Sequence, residues 1–376
     1  MTPKFPIIAL LGPSRQAASG VSTHLNLLFN SPLAQDFTLI QFQVGSEGRQ
    51  EGSAAKLLRL LLSPFALALF ILRKGVSVVH INTSLNSRAF WRDLAYLLVA
   101  RVLGARVVYQ VHGGALPQQF AEGNRLMEYL LSATLSLPSV IVVLAQCEMI
   151  AYRDFVPEQV VVAFPNGIDL TPYASLSRPT YTKERALRLL YVGRLVREKG
   201  LLDALNGLAL ARALGVNARM VIAGSGPEEE ALKDRVCQLG LGHVVRFVGP
   251  VFDTDKLALY GQADVTILPT YAMEGLPYAL LECMAAGIPA ITTRVGAIPD
   301  VMIDDIHGIF VPPRDKQAIC QAIYRLADDR PLLAAMSKAC QERVAHSYSI
   351  ERLARDFSRL YRDLCATHMA QSFGKP

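Results

Sequence analysis

The sequence predicts an α/β protein of two doubly wound domains, each built on a parallel sheet. Three observations predict it. Short apolar, β-branched runs alternate with helical stretches along nearly the whole chain. The runs are continuous rather than alternating in polarity, as in strands buried on both faces. The length of 376 residues exceeds that of a usual single domain, and 51% hydrophobic against 19% charged residues suffices for two cores.

In chain order, strands are expected at 5–11, 38–44, 76–81, 106–111, 139–144 and 160–163. A second set follows at 188–192, 219–223, 245–248, 264–268, 288–292 and 308–311. Amphipathic stretches between them, such as 89–103 and 201–214, supply the helices of right-handed βαβ units. Pro165-Asn166-Gly167 is a turn signal, and the polar, Pro-containing stretch after Thr171 reads as a linker. The boundaries follow: a first domain over 1–170 and a second over 187–348. A last helix over 349–369 carries Leu353, Phe357, Leu360 and Leu364 at helical spacing. Six scattered cysteines without a CxxC pair fit thiols in a reducing cytoplasm, and no cleavable signal is expected at the N-terminus.

Charge is uneven. Residues 1–110 hold 11 Lys/Arg against 4 Asp/Glu, a net +7, whereas the remainder, 27 against 28, is −1. With no nucleic-acid motif in view, this asymmetry points to an anionic membrane surface. Residues 54–75 are apolar with basic flanks; the uncharged run 60–72 is shorter than the roughly 20 residues a spanning helix needs. The expectation is a helix packed on the sheet, its outer side meeting an anionic interface through Lys56, Arg59, Arg73 and Lys74.

Ligands of open parallel sheets bind beyond the strand C-termini, which selects four loops. Gly12 to Gly20 joins the first strand to a helix, and its small residues would let a phosphate approach backbone amides. His112-Gly113-Gly114 ends another strand, with a ring donor beside room for a ligand. Gly193 to Gly200 carries Arg194 and Lys199, two cations suited to a diphosphate leaving group. Glu274-Gly275-Leu276-Pro277 precedes a helix that Pro277 opens and Gly287 ends; Glu274 would accept from sugar hydroxyls and Glu282 from a ribose diol. Asp253-Thr254-Asp255 is read as a helix-capping turn with Asp255 as the cap, not as a metal site.

The segments Leu189–Arg194, Ala223–Glu228, Phe247–Pro250, Glu274–Glu282 and Gly296–Asp300 resemble the retaining glycosyltransferases of family 4, the glycosyl transferases group 1. Ser19-Gly20 with His24, Val79-His80, His112-Gly113, Pro165–Asp169 and the last helix extend the likeness over nearly the whole chain. The resemblance implies the GT-B architecture, two Rossmann-like domains facing a central cleft, with residues 349–376 crossing back to the first domain. It implies donor contacts from Gly20, Gly193, Gly249, Gly275, Leu276, Pro277 and Glu282, with His112, Arg194, Lys199 and Glu274 as the catalytic set. Ser19 stands where the family usually has a second glycine. The implied activity is transfer of a sugar from a UDP- or GDP-linked donor to an acceptor, with retention and without metal or other cofactor. A lipid-linked saccharide acceptor, surface polysaccharide or glycolipid synthesis and a place on the cytoplasmic membrane face complete the expectation. The competing readings are a sugar-nucleotide epimerase of the same architecture, a non-catalytic sugar-nucleotide-binding protein and a nicotinamide-dependent oxidoreductase. Gly224-Ser225-Gly226 lacks the third glycine that the last of these needs.

Overall fold

The structure is a computed structural model that describes residues 5–17, 19–46, 49, 51–176, 181–271 and 275–373, without side chains after 366. The chain divides into two compact units, residues 1–167 with 350–376, and residues 168–349. Residues 168–176 and 181–186 therefore belong to the second unit.

All the expected strands form. In the first unit these are β1 (Ile7–Gly12), β2 (Thr38–Gln43), β3 (Val78–Leu85), β4 (Arg106–Gly114), β5 (Val140–Val143) and β6 (Val161–Ala163), in the parallel order β2-β1-β3-β4-β5-β6. Every residue of β1 is buried, which is why Ile7–Gly12 reads as an unbroken apolar run. Two cores flank this sheet. On one face Leu67, Phe90, Tyr96 and Leu97 pack against Val79, Ile81 and Tyr109. On the other, Leu25 and Leu28 of the Gly20–Phe29 helix join Leu353, Phe357 and Tyr361 of the terminal Ile350–Phe373 helix.

The second unit holds β7 (Leu187–Val192), β8 (Ala218–Ala223), β9 (Val245–Gly249), β10 (Val265–Leu268), β11 (Ala290–Thr292) and β12 (Gly308–Phe310). Their order is β12-β11-β10-β7-β8-β9, again parallel. Leu201, Leu205 and Leu208 of the Leu201–Ala213 helix fill its main core with Leu189, Tyr191 and Ile222.

The Ser53–Lys74 helix buries Ser63, Leu67 and Ile71 against the first unit, with Phe70 partly buried beside them. Tyr96 donates to Ser63 Oγ at 2.9 Å, and Phe70 meets Phe42 at a ring distance of 5.3 Å. The rest of its apolar surface is open, with Phe65 73% and Leu72 65% exposed. Arg59 departs from expectation. Its guanidinium bonds both Glu51 oxygens, at 2.6 and 2.9 Å, and Ser46, so it is engaged within the unit rather than offered to an interface.

Candidate active site

Each sheet has one point where the strand order reverses, and there the loops diverge to opposite faces and leave a crevice. In the first unit that point lies between β1 and β3. Ser19 caps the Gly20–Phe29 helix by accepting from the Ser22 amide at 3.3 Å, and Ser22 Oγ donates to the Ser14 carbonyl at 2.9 Å. Gly20 thus opens an ordered helix and is exposed. Asn82 of β3 crosses the reversal point, its amide nitrogen donating to Leu11 of β1 at 3.1 Å while its oxygen accepts from His112 Nε2 at 2.9 Å.

His112 is one of three clustered imidazoles. Its ring lies 4.6 Å from that of His24. His80 donates from Nε2 to Gln110 Oε1 at 2.9 Å and accepts from the Tyr361 hydroxyl on Nδ1 at 2.6 Å. Burial lowers all three: His24 falls to about 4 and His80 to about 3, and His112 lies well below its ordinary value. The rings also disfavour one another's charged forms. His112 is therefore a neutral hydrogen-bonding ring at physiological pH. Gly114 has a structural reason of its own, since a Cβ there would come within 2.4 Å of the Leu85 carbonyl of the paired strand.

In the second unit the reversal lies between β7 and β10, and two expected loops leave from it. The Gly193–Gly200 loop is fixed at one end by the Tyr191 hydroxyl, which donates to the Arg194 carbonyl at 2.6 Å. At the other end Gly200 takes φ +72°, and a Cβ on it would lie 2.2 Å from the Pro269 carbonyl; only glycine permits that approach. The β10 loop is tied to it, with Tyr271 N–H and Thr270 Oγ1 both donating to the Glu198 carbonyl, at 2.9 and 3.1 Å. Arg194 is exposed and Lys199 partly so. The structure thus brings the Arg194/Lys199 loop beside Pro269, Thr270 and Tyr271, just beyond β10.

Glu274 lies outside the described residues. Beyond it Leu276 is buried, and Pro277 caps the Tyr278–Ala285 helix from the preceding position rather than sitting in its first turn. Glu282 is 8% exposed on that helix. Its Oε1 pairs with Lys256 Nζ at 2.8 Å, and its Oε2 accepts from the Tyr260 hydroxyl at 2.6 Å. Gly249 ends β9 at φ +71° and accepts from the Gly224 amide at 2.8 Å. The Asp253–Gln262 helix corrects one expectation. It begins at Asp253 with extended Phe252 as cap, so Asp255 sits inside the first turn and caps nothing. Both aspartates instead place negative charge at the positive helix end. Among the described residues, no three His, Cys, Asp or Glu side chains cluster as metal ligands do.

Sequence reasoning missed Lys256, Tyr260 and the His24–His80–Tyr361 network. Each depends on contacts between distant segments, for which the sequence carries no local signal.

The sequence model of the family described as glycosyl transferases group 1 matches residues 176–343, nearly the whole second unit. Over that unit the chain is similar to this family. A protein of Escherichia coli (strain K12) assigned as the colanic acid biosynthesis glycosyltransferase WcaL is 31% identical over 214 residues, 55% of this chain and 52% of that one. The D-inositol 3-phosphate glycosyltransferase of Corynebacterium diphtheriae is 26% identical over 314 residues, 78% of this chain and 72% of its own. The chain spans about half the length of the first curated relatives it matches. Among solved structures, Anabaena Alr3699/HepE in complex with UDP and glucose superposes with a TM-score of 0.73 at 14% identity, covering 95% of this chain and 100% of that one. The fold is that of the GT-B glycosyltransferases.

Proposed function

We propose that this chain is a retaining, metal-independent glycosyltransferase that moves a sugar from a UDP- or GDP-linked donor to a lipid-linked saccharide or other glycan, in surface polysaccharide or glycolipid synthesis. The observation that carries the reading is the second unit's reversal point, where the loop bearing Arg194 and Lys199 is hydrogen-bonded to Thr270 and Tyr271, in the chain that runs from β10 to the helix carrying buried Glu282. Arg194 and Lys199 bind the diphosphate and offset the charge that develops on it as it leaves, the largest electrostatic demand of the reaction. Glu282 accepts from the ribose, Glu274 from the donor sugar, and the Gly20 amide and neutral His112 serve the phosphate and the transferred sugar. The WcaL likeness supports a polysaccharide setting.

The reading extends to the cytoplasmic membrane face. The Ser53–Lys74 helix keeps one face on the core and turns an apolar face outward, with Lys56, Arg73 and Lys74 exposed near its ends. Such a helix lies in an anionic interface, apolar side down and basic ends on the headgroups.

The test is a thermal-shift screen of the purified protein against UDP, GDP, ADP and their sugar conjugates, in EDTA. A ligand that binds only the folded state raises the melting temperature, and one nucleotide doing so in EDTA is the expected result. No shift at millimolar ligand, or one that appears only with added magnesium, would overturn the donor assignment or its metal independence respectively.

A further inference from the structure

Glu282 is held in an unusual way for a residue that must meet a ligand. Lys256 and Tyr260 stand one turn apart on the Asp253–Gln262 helix and reach the same carboxylate from one side, one on each oxygen. An ionised carboxylate has about four acceptor positions, so each oxygen gives one to this helix and keeps one. Tyr173 and Tyr278 lie near enough to feel its charge. Burial raises the phenols of Tyr173, Tyr260 and Tyr278, and the nearby Glu282 charge raises them further. A carboxylate in so dry a setting is costly unless paired, and Lys256 is its ion-pair partner.

We propose that Lys256 and Tyr260 are positioning residues that compensate and aim Glu282. Its two remaining acceptor positions then take the two hydroxyls of a ribose, and the site selects ribonucleotides over 2′-deoxyribonucleotides. The inference rests on the nucleotide-sugar reading above. The geometry matches the ligand: a vicinal diol offers two donors, and a carboxylate fixed on both oxygens presents two acceptors without free rotation. Losing one such donor leaves a desolvated charged acceptor unpaired, which costs roughly 10- to 100-fold in affinity.

The experiment is calorimetric titration of the full chain with UDP and GDP and with their 2′-deoxy counterparts. Wild type is compared with Lys256→Met, Lys256→Arg and Tyr260→Phe, with thermal melting as the check on folding. Wild type is expected to prefer the ribonucleotide by roughly 10- to 100-fold. Lys256→Met and Tyr260→Phe should each lower that preference, and Lys256→Arg should restore most of it. A purely structural role would weaken both nucleotides alike and leave the ratio unmoved. Folded Lys256→Met and Tyr260→Phe proteins with the wild-type ratio would therefore overturn the inference, and so would a wild type that binds both forms equally. A wild type that binds neither form would overturn the nucleotide reading and this inference with it.

Discussion

The buried imidazoles of the first unit make its stability depend on acidity in a calculable way. His24 and His80 are fully buried, with values lowered from 6.5 to about 4 and about 3. A group whose folded value lies below its unfolded one contributes stability that is complete above the unfolded value. That stability is lost as pH falls toward the folded value, because only the unfolded chain takes up the proton. At pH 5 an unfolded histidine is almost wholly protonated while either buried ring is almost wholly neutral. Integrating from pH 7.5 to pH 5 gives a loss of about 2 kcal/mol per histidine, and His112 adds a term of the same sign. The perturbation is His80→Gln, and the assay is urea unfolding of wild type and variant at half-unit steps from pH 7.5 to 5. The slope of stability against pH should fall in the variant by about 1.2 kcal/mol per unit near pH 5.5. Comparing slopes cancels other groups that titrate in the same range, Asp93 included, whose burial raises its carboxyl. Parallel slopes would refute the reasoning and show that the His80 site admits water or charge.

Two further outcomes are expected. Gly200→Ala should destabilise the second unit by about 2 kcal/mol or more, through left-handed backbone strain and the 2.2 Å approach to Pro269; Gly240→Ala, at φ +66° with nothing within 4 Å, isolates the strain alone at about 1 kcal/mol. Equal losses in chemical denaturation would remove the close contact from the argument. Co-sedimentation with anionic vesicles should fall as salt rises and fall about tenfold or more in Phe65→Asp, an exposed position whose change spares the core; unchanged binding would leave the helix without a membrane role.

The strands were legible because both faces of each sheet are covered, so burial writes itself as uninterrupted apolar runs such as Ile7–Gly12 and Val140–Val143. The site loops were legible for a related reason: parallel topology puts ligands at strand C-termini, and Arg194, Lys199 and His112 stand there. Pairwise chemistry was not legible. Lys256 and Tyr260 are more than twenty residues from Glu282, and their long side chains meet it only in the folded chain. Arg59 pairs with Glu51 just before its own helix, a contact that sequence spacing alone does not distinguish from exposure. Asp255 misled because a helix start with two aspartates offers two plausible caps, and the backbone chose extended Phe252.

The central claim is that Arg194 and Lys199 stabilise a departing nucleoside diphosphate during sugar transfer. The most direct measurement is steady-state transfer of a labelled sugar, from the donor named by the thermal-shift screen, by wild type and Lys199→Ala. Lys199→Ala is expected to lower kcat by about 100-fold with a smaller change in KM, as for loss of a charge stabiliser used mainly in the transition state. Near-normal turnover in Lys199→Ala would contradict it.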